Sequence, residues 1–169
     1  MIKLSILLVF IVLAGQTLSA QKLLPPESLS KLIPNKIGGF YEDGEMRGSQ
    51  RSIGDVSYSV CERRFSKGKQ KVKILLFDYK DAQIMFKQAM KNGMNNKGLE
   101  TDSLISRNIT AANYTGWETY SRRAASSQIF LGIADRFFLM LSAENVDLIS
   151  LQSVLSNFNL ESFSKEMDR

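Results

Sequence analysis

The sequence predicts an α+β domain built on a single antiparallel sheet of about five to seven strands, with two main helices packed on one face. Three observations lead there. Short apolar runs come in pairs, and the turns joining them are too short for the crossover a parallel pair requires. Two of these pairs are each followed by a stretch whose apolar residues recur at helical spacing. The order strand, strand, helix therefore occurs twice, which predicts a pseudo-repeat of element order even though the halves share almost no residue identity.

The clearest unit runs from residue 127 to 158. Residues 127–133 read as a strand, Ala134 and Asp135 as a tight turn, and residues 136–143 as the antiparallel partner. Both strands carry apolar side chains on both faces, Ile129, Leu131 and Ile133 against Phe130 in the first. Such strands belong in the middle of a sheet. Leu148, Leu151, Val154, Leu155 and Phe158 then mark a helix, with Asn145 or Asp147 placed to cap its first turn.

The first half repeats the order. Residues 55–65 alternate, with Val56, Tyr58 and Val60 opposite Ser57, Ser59 and Cys61. A turn at residues 66–69 leads to a returning strand at 70–77 with Val72, Ile74 and Leu76 on its inner face. Asp78 is expected to cap a helix over residues 79–92 with Ala82, Met85, Phe86, Ala89 and Met90 as its apolar stripe, and Gly93 to end it in a left-handed turn. Upstream, Pro26 and Pro34 bracket a short helix carrying Leu29, Leu32 and Ile33. Residues 41–48 read as a loop or irregular edge hairpin, residues 95–113 as a loop holding at most one short strand, and residues 114–120 as a further strand.

The chain of 169 residues opens on Met-Ile-Lys3, an apolar run from Leu4 to Ala14 and a small-residue stretch ending at Ala20. That pattern predicts a secretory signal peptide over residues 1–20, cleaved after Ala20, and the run is too short to span a membrane. The remaining residues 21–169 form the expected single α+β domain, exported to the periplasm or secreted, soluble once the signal is removed and without a transmembrane segment. The short, lysine-led signal is of bacterial type. Lysine and arginine number 22 against 17 aspartate and glutamate, and loss of Lys3 leaves a mild +4. This balance gives an exported chain no call on nucleic acid.

Chemistry is bounded chiefly by what is missing. The sequence has no histidine and one cysteine, Cys61, which excludes histidine-dependent nucleophiles, histidine-ligated metals, thiolate zinc clusters and two-cysteine redox motifs. No glycine-rich phosphate loop follows a strand. No catalytic, cofactor-binding or metal-binding residue is therefore assigned. Glu42, Asp43 and Glu45 lack the spacing of a calcium loop. Asp78 and Asp81 are better explained by a helix start than as an acid pair. Cys61 reads as a small buried residue, and Trp117 as sheet packing rather than a sugar platform.

One positive feature remains. Arg63, Arg64, Lys67, Lys69, Lys71 and Lys73 cluster around the first hairpin turn, where they form a basic ridge able to dock an acidic partner or glycan, or else protect an edge hairpin from pairing. The resulting expectation is a non-enzymatic binding module whose partner is an unidentified protein or envelope component. The alternatives are a carboxylate- or lysine-dependent enzyme acting on an envelope polysaccharide, and a carrier of a small apolar ligand held between sheet and helices.

Leu23-Leu-Pro25, Leu32-Ile-Pro34, Gly39-Phe40, the strand from Ile74 to Asp78, Gly116-Trp117, Arg136-Phe137 and a last helix ending near Leu160 together resemble a loose group of small exported bacterial proteins of uncharacterised function. The resemblance implies an α+β fold and brings no catalytic residues.

Overall fold

A computed structural model describes residues 22–95 and 98–167; the expected signal peptide lies outside the described residues. The elements in chain order are α1 (Pro26–Ser30), β1 (Tyr41–Glu42), β2 (Arg47–Ile53), β3 (Val56–Lys67), β4 (Gln70–Asp81), α2 (Gln83–Met94), β5 (Leu99–Glu100), β6 (Leu104–Ala111), β7 (Tyr114–Ser121), β8 (Ser126–Ile133), β9 (Phe137–Glu144), α3 (Leu148–Leu155) and α4 (Glu161–Lys165). The fold is α+β, as expected. All nine strands join one open antiparallel sheet in the order β1-β3-β4-β9-β8-β7-β6-β5, with β2 also pairing with β3.

Nine strands exceed the five to seven expected, and the excess comes from two polar stretches. Every residue of β2 except Ser49 is exposed, so it shows no apolar alternation; its pairing with β3 from Arg47↔Glu62 to Ile53↔Val56 makes it a strand. β6 was expected as mostly loop, yet all eight of its residues pair with β7. Strands at a sheet margin bury little and leave a weak periodic signal. The first helix of the repeat also starts later than its apolar stripe suggests. β4 runs on to Asp81, and α2 occupies Gln83–Met94.

The two main helices lie on opposite faces, which corrects the expectation that both pack on one. Along β8 the side chains alternate. Ile129, Leu131 and Ile133 join Leu151, Val154 and Leu155 of α3 in one core, together with residues of α1 and α4. Phe130 joins Phe86, Trp117 and Phe138 in the other, with Met90 packed against it. Strands apolar on both faces permit either placement, so the pattern alone does not choose. The element order repeats, but a two-fold axis relating the adjacent β3–β4 and β8–β9 hairpins would put both helices on the same face. The repeat is therefore one of order and not of symmetry.

Gly93 does not end α2 in a left-handed turn; it lies inside the helix. A methyl group there would overlap the Trp117 ring, so glycine is what allows the helix to approach β7. Trp117 in turn stacks on Phe130 with ring centroids 4.7 Å apart. On the other face, Asp147 caps α3 by accepting a hydrogen bond from the Ser150 amide at 2.7 Å. That bond holds the Asp147 carboxyl below its ordinary pKa.

Asp78 departs furthest from its expected role. Instead of capping a helix it sits fully buried in β4, bonded to Arg136 in the β8–β9 turn. Arg136 donates from Nε to Asp78 Oδ1 at 2.8 Å and from Nη2 to Oδ2 at 2.7 Å, a bidentate pair. The backbone amides of Leu24 and Lys80 donate to the same carboxylate at 2.8 and 3.0 Å. Arg136 also donates to the Lys22 carbonyl at 3.0 Å and the Glu166 carbonyl at 3.5 Å, and lies over the Phe137 ring. One buried pair thus ties the start and the end of the described chain to the interior strands β4 and β9.

Breaking such a pair from one side strands the other charge in a dry interior, at a cost of about 3–5 kcal/mol. Asp78→Asn is therefore expected to lower the unfolding free energy by that amount, measured by urea denaturation. Glu100→Gln, which removes an exposed partner of Arg122, is expected to change it by less than about 1 kcal/mol. Equal losses would show that the buried pair is not the dominant ionic constraint.

Candidate functional site

The six residues of the basic hairpin are not presented together. Strand alternation in β3 and β4 sends Arg64, Lys71 and Lys73 to the face that carries α2, and Arg63 and Lys67 to the opposite one. Arg63 donates to the Asn35 side chain at 2.6 Å and lies 3.8 Å from Glu42, so it serves the packing of the preceding loop. Lys67 lines a hollow with Gln70, Ile149 and Ser153. Lys69 sits in the turn, and its carbonyl accepts a hydrogen bond from the Asn145 side chain at 2.9 Å. The hairpin is also not at an edge: β1 and β2 cover β3 on one side, and β9 covers β4 on the other. The edge-protection reading of these cations therefore does not apply to their positions.

Arg64, Lys71 and Lys73 line a groove of about 470 Å³ with Asp43, Ser126, Gln128, Ser142 and Glu144. Its floor is the half of the sheet face that α2 leaves uncovered. Register places Arg64 opposite Lys73, Lys73 opposite Ser142, Ser142 opposite Gln128, and Gln128 opposite Thr119. A parallel row joins Lys71, Glu144, Ser126 and Ser121. Neighbouring members of each row are about 5 Å apart, the strand spacing. The rows therefore carry hydroxyl and amide groups at a regular interval across β9, β8 and β7, with three cations toward β3 and β4. Arg64 is ion-paired with Glu62 at 2.6 Å, and Asp43 and Glu144 are further acids of the groove.

Gln128 and Ser142 were not singled out as site residues, but their sequence carries a signal. On the α2 face β8 reads Ser126, Gln128, Phe130, and β9 reads Phe138, Met140, Ser142, Glu144. Each strand changes from apolar to polar partway along the same face. That change marks where the helical cover stops, and it is visible once the strand register is known.

The remaining candidates resolve into packing. Asp81 is exposed and lies 3.9 Å from Lys80, whereas Asp78 is sealed against Arg136, so the two do not converge on a common cleft. Among the described residues no group of three or more acidic or cysteine side chains is placed to hold a metal ion. Glu42, Asp43 and Glu45 are all exposed. Trp117 is buried between Phe130 and α2 and offers no stacking surface.

Cys61 is fully buried on the α1 face. Burial pushes its thiol up to about 11, only partly opposed by the Arg63 charge. A thiol this far above neutrality presents almost no thiolate. No family model, curated protein or solved structure matches this chain.

At pH 8 the folded protein is expected to react with a thiol reagent at least roughly a hundredfold more slowly than the urea-unfolded chain. Between the ordinary thiol value near 9 and about 11 the unfolded chain loses its proton first, so stability should fall as pH rises through that window. Similar labelling rates for folded and unfolded chain would contradict the buried, protonated state.

Proposed function

We propose that this chain acts as a non-enzymatic binding module, exported by the signal-like segment at residues 1–20 to the periplasm or beyond, and that its ligand face is the uncovered half of the sheet. The observation that carries the reading is the ordered polar groove with Arg64, Lys71 and Lys73 on one face. Nothing in a folding argument requires three cations and a row of serine and glutamine side chains across the central strands. Past α2 the same face continues as polar side chains, with Arg64 paired to Glu62 and Lys71 and Lys73 as its further cations.

The ligand chemistry that fits is anionic and rich in hydrogen-bonding groups: an acidic polysaccharide or an acidic stretch of an envelope protein. Exposed cations of this kind steer and orient a partner, and their contribution is screened by salt.

Retention on an immobilised carboxylated polysaccharide at low salt tests this directly. The triple variant Arg64→Glu/Lys71→Glu/Lys73→Glu is expected to lose at least about tenfold in affinity. A control with the same charge change at Lys87, Lys91 and Lys165, all exposed, is expected to lose much less. Equal losses would mean that net charge rather than this face governs binding, and no retention of the wild type would remove the acidic-polysaccharide form of the reading.

A further inference from the structure

A second site lies on the other face of the sheet, where β6 and β7 meet α3 and the segment after it. We propose that this cleft binds a small carboxylic acid with an apolar body, its head held by Arg107. The cleft has a volume of about 590 Å³, within the range of small-molecule sites. It is independent of the polar groove described above, being separated from it by the sheet.

The polar end of the cleft is built around Glu118, a fully buried carboxylate on β7. Its Oε1 accepts a hydrogen bond from Nε of Arg107, its register partner on β6, and its Oε2 accepts one from the Gln152 side chain of α3 at 2.8 Å. The first bond fixes the guanidinium by its inner edge, and the second holds the carboxylate that anchors it. The Arg107 side chain is nonetheless 57% exposed, and among the described residues its two terminal amino groups bond to no protein acceptor. A guanidinium anchored at Nε and free at both Nη groups presents the donor fork that matches a carboxylate.

Apart from Thr110 and Ser156, the rest of the lining is apolar. Ile109 and Leu155 flank the polar end, with Phe158 and Leu160 beyond them. Ile109 is only partly buried although it packs against the main core. Glu118 already neutralises one positive charge and has its hydrogen bonds supplied from the protein. The unfilled bonding capacity at the head of the cleft therefore consists of donors, which selects an acceptor-bearing head over an amine. The apolar walls select an aliphatic or aromatic body over a sugar.

Octanoate is a suitable probe and 1-octanol its uncharged counterpart. Titration of octanoate, followed by amide chemical shifts, is expected to give saturating shifts confined to residues around Ile109, Glu118, Leu155 and Phe158. 1-Octanol is expected to bind at least about tenfold more weakly, because it lacks the charge-assisted bonds to Arg107. Arg107→Gln should reduce octanoate affinity to the level of octanol while leaving octanol binding unchanged. Arg107→Gln leaves the buried Glu118 carboxylate with only its Gln152 bond, so the amide spectrum of the variant verifies its fold. Arg107→Lys, which keeps the charge beside Glu118 but not the donor fork, is a second variant expected to weaken octanoate binding and not octanol binding. Equal affinities for acid and alcohol, shifts centred elsewhere, an Arg107→Gln variant that binds octanoate normally, or no saturation at millimolar octanoate would each overturn the proposal.

Discussion

The Asp78–Arg136 pair is the constraint on which the remaining architecture depends. A carboxylate and a guanidinium removed from water are each costly to bury, and the geometry that offsets this cost is stringent. Here all the acceptor sites of Asp78 are engaged, two by Arg136 and two by backbone amides. The pair joins β4 to the turn that opens β9, two neighbouring interior strands of the sheet. Through Leu24, Lys22 and Glu166 it also fixes the segments that lead into α1 and out of α4. Those helices contribute Leu29 and Phe163 to the larger core, so an interaction between two charges determines where apolar surface is covered.

That cover is uneven, and the unevenness leaves a polar groove on one face and a cleft on the other. On one side α1, α3 and α4 lie over Ile74, Leu76, Leu131, Leu139 and Leu141. On the other, α2 alone covers an aromatic cluster of Phe77, Tyr79, Trp117, Phe130 and Phe138. The strands extend beyond α2, and where they do so the side chains become serine, glutamine, lysine and arginine. The polar groove is thus the continuation of a buried face past the end of its helix. The cleft at Arg107 arises differently, from α3 meeting the sheet near its margin, where β6 has only the two-residue β5 outside it.

The parts of the fold that could be read from the sequence are those in which pattern and turn chemistry coincide. The β8–β9 hairpin follows from the apolar runs either side of Ala134 and Asp135, both of which adopt positive φ in the structure. The Asp147 cap and the buried stripe of α3 follow from helical spacing. β2 and β6 were hidden because strands near a margin need not alternate. Asp78 was misread because its partner is 58 residues away, and a lone acid ahead of a helical stripe resembles a cap. The basic residues were legible as a cluster but not as a face: alternation divides Arg64, Lys71 and Lys73 from Arg63 and Lys67. Gln128, Ser142 and Glu118 acquire meaning only when register brings distant strands together.

Native-state amide hydrogen exchange tests the central role of the buried pair most directly. The informative site is the Leu24 amide, near the beginning of the described chain, where an unanchored segment exchanges almost freely. Bonded to Asp78, it should be protected to a degree comparable with amides of β4 and β9 and should lose protection together with them as denaturant is added. Rapid exchange at Leu24 with β4 and β9 still protected would contradict the account, because the pair would then be holding two strands together without organising the ends of the chain around them.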